Sequence, residues 1–135
     1  MMDARLLKVQ AVDGTLLDCI VEASRSAPWT IIFSGPDFPK REFRSRDLFQ
    51  ALLILRGHLE ESGQKILCAG ARFDVFPSGM SRSMGGGRKA YVTRLGLPGQ
   101  LNDIVDILSP AQPESVGSIE EQADFHRRWI ESLKK

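Results

Sequence analysis

Leu7-Lys-Val-Gln-Ala-Val-Asp-Gly-Thr-Leu-Leu-Asp-Cys-Ile-Val-Glu22 decides the fold class. Leu7, Val9 and Ala11 alternate with Lys8 and Gln10, the period-2 pattern of a strand with one wet face. Asp13-Gly14 accepts positive φ at low steric cost and closes a tight hairpin. Leu17, Cys19 and Val21 then alternate with Asp18 and Glu22 as a second strand. Ser24–Pro28 breaks the pattern, and Trp29, Ile31 and Phe33 make a third alternating set. Three short strands joined by short turns predict an antiparallel meander.

Downstream the period changes. Ser34–Pro39 is dense in turn residues and is expected to end the meander. Leu48, Leu52, Leu55 and Leu59 recur at helical spacing, a single apolar stripe. Ser45 is the expected cap, Asp47 sits near the positive end of the helix dipole, and Gly63 suits a left-handed C-terminus. These signals predict a helix over Arg46–Ser62. Ile66–Cys68, Ala90–Leu95 and Ile104–Leu108 read as further strands, with a turn at Leu97-Pro-Gly99. Ser118-Ile-Glu-Glu121 fits a capping box that opens a last helix. Ile119, Ala123, His126, Trp129, Ile130 and Leu133 are expected on one side of it. The order β-β-β-α-β-loop-β-β-α predicts one α+β domain over 1–135, a mainly antiparallel sheet with two helices packed on one face.

The composition is that of a globular domain: 135 residues, 42% hydrophobic and 26% charged. A net charge of +1 argues against a dedicated nucleic-acid binder, which is expected to be strongly basic. Cys19 and Cys68 lie in apolar runs and read as small core residues, not as a disulfide. The first ten residues alternate like a strand instead of forming a secretory leader, and no apolar run is long enough to span a bilayer. The expected location is the cytoplasm, with no membrane partner.

Between the strand-like runs lies Gly70–Tyr91, a long connection without periodicity, and such connections are usually functional or disordered. Arg72, Arg82, Arg88 and Lys89 face one acid, Asp74, a local +3 that leaves −2 for the rest of the chain. Arg72, Asp74, Ser78, Met80, Arg82, Met84, Gly85, Gly86, Gly87, Arg88 and Lys89 are therefore the candidate binding residues. Successive glycine amides can form an anion-binding concavity, and Arg82, Arg88 and Lys89 can add charge-assisted bonds. The Walker and dinucleotide signatures nevertheless need a helix after their glycines, whereas Arg88-Lys89-Ala90 leads into a strand. Met80 and Met84 have no periodicity to bury them; exposed methionines adapt to irregular partners, and the alternative is that the two plug the segment back onto the core. Phe73, Phe76 and Tyr91 beside these bases form a combination that stacks single-stranded bases, but the near-neutral chain makes nucleic acid an unexpected partner.

Catalytic and metal residues are not expected. His58 and His126 fall in predicted helices, and no nucleophile elbow accompanies them. Cys19, His58, Cys68 and His126 lack the short paired spacing of a metal site, and no cofactor is implied.

Cys68-Ala-Gly-Ala-Arg-Phe-Asp-Val-Phe-Pro-Ser-Gly-Met-Ser-Arg-Ser-Met-Gly-Gly-Gly-Arg-Lys-Ala-Tyr91 resembles a stretch of small uncharacterised bacterial proteins. Some of these are similar to immunity proteins that accompany secreted or contact-delivered toxins. The resemblance covers these residues and the approximate length and layout, and it transfers no functional residue. It implies a protein partner, such as a toxin domain. The expected function is a small non-enzymatic binding protein that occludes a cognate toxin. The alternative is a domain holding a phosphate, a nucleotide or another small anion on Gly85–Lys89.

Overall fold

The computed structural model describes residues 2–134. The alternating stretches pair as their pattern requires. β1 (Met2–Gln10) and β2 (Leu16–Ser24) form an antiparallel hairpin with Leu7 opposite Cys19. β3 (Trp29–Gly35) follows with Val21 opposite Phe33. Leu7, Val9, Cys19, Val21, Ala23, Ile31 and Phe33 are buried on one face, while Leu6, Lys8, Asp18 and Ile20 stay exposed on the other.

The meander does not end at Pro39. A turn with Asp37 at φ 57° leads into β4 (Phe38–Ser45), which pairs with β3. Phe43 is the one residue of β4 that is buried, so the strand carries almost no alternating signal. Pro39 is tolerated because β4 lies at the edge of the sheet. β5 (Lys65–Ile66) closes the opposite side against β1, giving the order β4-β3-β2-β1-β5.

α1 (Leu48–Glu61) lays Leu48, Leu52, Leu55 and Leu59 on the apolar face of this sheet, each fully buried and each contributing about 1.5–3 kcal/mol relative to exposure. Its cap is Asp47, not Ser45. Asp47 Oδ1 accepts from the Gln50 amide at 2.7 Å, while Ser45 is taken up as the last rung of β4 opposite Trp29.

The connection expected to be an aperiodic loop is built of short elements instead. A 3-10 turn at Ala69–Ala71 leads to β6 (Val75–Phe76), α2 (Gly79–Gly85) and β7 (Lys89–Val92). β8 (Ile104–Asp106) completes a second antiparallel sheet, β6-β7-β8. These elements are too short for a period to register, and α2 buries none of its residues, so no apolar stripe marks it. One continuous core draws on both sheets and α1. The molecule is therefore α+β with antiparallel sheets.

α3 (Ile119–Ser132) begins with the predicted box: Ser118 accepts from the Glu121 amide at 3.0 Å, and Glu121 accepts from the Ser118 amide at 2.7 Å. It packs on β6 and α1. Its inward side is Ile119, Gln122, Phe125, His126 and Trp129, whereas Ala123, Ile130 and Leu133 are exposed. The expected stripe is thus rotated, because a polar residue makes the deepest contact. Gln122 Oε1 accepts from buried Arg56 at 2.5 Å, and Nε2 donates to the carbonyls of Gly70, Arg72 and Val75 at 2.8, 3.0 and 2.7 Å.

Both cysteines are buried and free, as expected, and burial first of all pushes the Cys19 and Cys68 thiols up to about 12 and about 11. Among the described residues no helix is long and apolar enough to cross a membrane.

Candidate functional site

The glycine-rich segment is a helix end. Ser78 opens α2 by accepting from the Ser81 amide at 3.0 Å. Gly86 closes it at φ 68°, in the left-handed region, with the Trp29 ring so near that a Cβ would stand 2.6 Å from it. The Gly86 and Gly87 amides donate to the Ser81 carbonyl, and the Arg88 amide donates to the Gly85 carbonyl. These amides are spent inside the chain, at the end of a helix where the carbonyl dipoles are negative. The expected anion concavity is therefore not formed.

The arginines are spent as well. Arg72 binds Asp74 through two bonds of 2.9 Å. Arg82 donates from Nε to Asp47 Oδ2 at 3.0 Å and reaches Gln50, with its guanidinium over the Phe49 ring. Arg88 holds both oxygens of Asp106 at 3.1 Å and also Asp3, and Arg5 reaches Asp106 at 3.0 Å. Burial alone would raise the Asp106 carboxyl, but the Leu108 amide and Arg88 outweigh it and hold the group below 3.8. The Arg88 bond likewise leads the causes that hold Asp3 below its ordinary value. Three of the four cations expected to face a partner are thus paired internally: Arg82 ties α2 to α1, Arg88 ties the start of β7 to β8 and β1, and Arg72 pairs locally with Asp74. Lys89 alone remains exposed.

Two exposed methionines and Lys89 are left. Met80 and Met84, one helical turn apart, are 72% and 79% exposed. With Ser78, Tyr91 and Ile104 they line an open groove of about 340 Å³, where Lys89 is the one charged side chain among the described residues. A second groove of about 350 Å³ lies on the other side of Tyr91, lined by Phe76, His126, Trp129 and Ile130. The two share Ser78 and Tyr91. The aromatic wall of the second continues a ladder that starts in the core: buried Phe49 against Phe76 at 5.0 Å, His126 stacked on Phe76 at 3.8 Å, and Trp129 beyond. Burial lowers the pKa of His126, and its Nδ1 is enclosed without a partner, so the ring is held neutral. Trp129 Nε1 donates to the Leu97 carbonyl at 2.8 Å and fixes the outer rung.

The serines of the segment serve the backbone: Ser78 caps, Ser81 Oγ donates to the Lys89 carbonyl, and Ser83 Oγ donates to that of Met80. Among the described residues no three His, Cys, Asp or Glu converge as metal ligands. Of the sequence candidates, Ser78, Met80, Met84, Gly85 and Lys89 come together on the first groove. Arg72, Asp74 and Arg82 do not line it, and Arg88 opens onto a different cavity beside Trp29 and Asp3. Sequence reasoning missed Tyr91, Ile104 and Trp129 as groove residues. Tyr91 and Ile104 meet only through the β7–β8 register, which no local pattern encodes. No protein-family model matches the chain, and no curated protein does.

Proposed function

We propose that this chain is a small cytoplasmic binding protein without catalytic chemistry, of the immunity-protein kind, which neutralises a toxin domain by covering part of its surface. The observation that carries this is the pair Met80 and Met84, exposed on a helix whose frame is held by internal ion pairs. A rigid frame bearing soft, polarisable side chains suits docking to another protein, and Tyr91 and Trp129 beside it are the residue types that anchor interfaces. The helix belongs to the stretch that resembles the immunity-associated proteins. Lys89 at the rim favours a partner segment that brings a carboxylate next to apolar side chains.

A phosphate approaching Gly85–Lys89 would meet the carbonyl end of α2 and amides already bonded, so a small-anion or nucleotide ligand is the weaker alternative. The deciding experiment is capture from cells carrying the neighbouring genes, then calorimetry with the captured toxin domain, comparing wild type with Met80→Ser/Met84→Ser. At least about a tenfold loss of affinity with an unchanged urea midpoint is expected, since 1.4 kcal/mol is a factor of ten. Equal binding by both proteins, or no binding by wild type, would reject the proposal.

A further inference from the structure

A second concentration of charge lies on β4, away from the grooves. Lys40, Arg41 and Arg44 in β4, with Arg46 just past its end, stand against one carboxylate, Glu42, a net of +3 over 38–46 in a chain whose total is +1. All four cations are exposed. Arg44 engages Glu42 at 2.7 Å, and Arg41 lies over the Phe43 ring. Lys40, Arg41 and Arg46 have no carboxylate partner among the described residues. This is the opposite of Arg82 and Arg88, which hold the fold together. The charges on β4 make only local contacts within the strand and tie no other element to it.

β4 is also an edge. It pairs with β3 alone, so alternate N–H and C=O groups along Phe38–Ser45 point away from the sheet. Lys40, Glu42 and Arg44 share one face of the strand, and Arg41 stands on the other. Basic side chains and a proline on an edge strand discourage indiscriminate pairing with other strands. They do not discourage a strand of opposite charge.

We propose that β4 is a docking edge for an extended acidic polypeptide segment, which adds a sixth strand to the five-stranded sheet. Main-chain hydrogen bonds to the open edge supply affinity, and carboxylates at every second position of the added strand lie on one face, where they meet Lys40 and Arg44. The charge filter supplies specificity, because a basic or neutral strand leaves the cations opposed or unpaired. A polypeptide fits better than single-stranded nucleic acid: Phe43 is 5% exposed and occupied by Arg41, so the strand offers no free aromatic platform for a base. This site is separate from α2 and stands whether or not the grooves bind a toxin.

The test uses the full chain and a synthetic peptide of β4's length that alternates glutamate with threonine, followed by amide exchange and titration. Expected are new protection of amides within Phe38–Ser45, none along α2, and affinity that falls as salt rises. Lys40→Glu/Arg44→Glu should weaken binding at least about tenfold, while Met80→Ser/Met84→Ser leaves it unchanged. Both exchanged side chains are exposed, and an unchanged urea midpoint checks that the variant folds. Absence of binding, equal binding of the same peptide with lysine for glutamate, or protection produced by single-stranded DNA and not by the acidic peptide would each overturn the proposal.

Discussion

Nε of Arg82 lies 3.0 Å from Oδ2 of Asp47, whose other oxygen caps α1 by accepting from the Gln50 amide at 2.7 Å. One carboxylate, almost fully buried, both starts the central helix and anchors the helix that carries the exposed methionines. Asp47→Ala should cost about 2–3 kcal/mol, the cap and the charged bond together. Arg82→Ala spares the cap and should cost less, while amide protection across Gly79–Gly85 is lost. Urea unfolding paired with hydrogen exchange reads both outcomes.

Gln122 is expected to be the most sensitive polar residue. Its removal takes one acceptor from the Arg56 guanidinium, which keeps the Gly117 carbonyl at 3.0 Å in a site where burial already disfavours the charge, and it frees three carbonyls. Gln122→Ala should destabilise by about 2–4 kcal/mol, since buried polar groups lose their partners. Arg56→Met/Gln122→Ala should cost less than the two single changes added, because Arg56→Met removes the buried charge whose side-chain acceptor Gln122→Ala takes away. Chemical denaturation of the four proteins closes the cycle.

Adjacent glycines should respond with opposite signs. Gly85 has no atom within 4 Å of a built Cβ and lies in the last turn of α2, so Gly85→Ala should be neutral or stabilise by up to about 1 kcal/mol. Gly86→Ala combines a left-handed backbone with a Cβ inside the Trp29 ring contact and should cost about 2–4 kcal/mol. Thermal unfolding distinguishes them, with a blue or red shift of Trp fluorescence expected only for Gly86→Ala.

Acid should weaken the fold in two stages. Desolvation holds His126 below 6.5, so the unfolded chain takes up the proton first; this contribution is complete above pH 6.5 and declines as pH falls toward the lower folded value. Asp106 is held below 3.8 by the Leu108 amide and Arg88, which prevail over its burial; its contribution is present above pH 3.8 and is lost as pH falls through the depressed value. His126→Phe should abolish the first stage and keep the second. Urea midpoints taken from neutral pH down through both values give the profile.

Much of this fold was legible because its principal elements bury a regular stripe. Leu7–Val21 alternates, Leu48–Leu59 repeats at helical spacing, and Ser118 and Glu121 form their box within four residues. β4 was hidden because an edge strand with one buried residue looks like a polar turn. α2 was hidden because it is held from outside by arginines and not by an apolar face. The destinations of those arginines were beyond any local reading: Arg82 finds Asp47 across 35 positions, and Arg88 finds Asp106 and Asp3 across 18 and 85. Local charge counting therefore placed a cationic face where the folded chain has neutralised pairs. Met80 and Met84 stand exposed, since nothing near them in sequence covers them.

The clamp on α2 shapes how recognition can evolve. With the backbone immobilised beforehand, adjustment to a different contour is left to the thioether chains, which reorient by bond rotation and demand no rearrangement beneath them. In the proposed docking, drift in the opposing molecule is absorbed one torsion at a time, so partners can change while Asp47, Arg82 and Gly86 stay fixed.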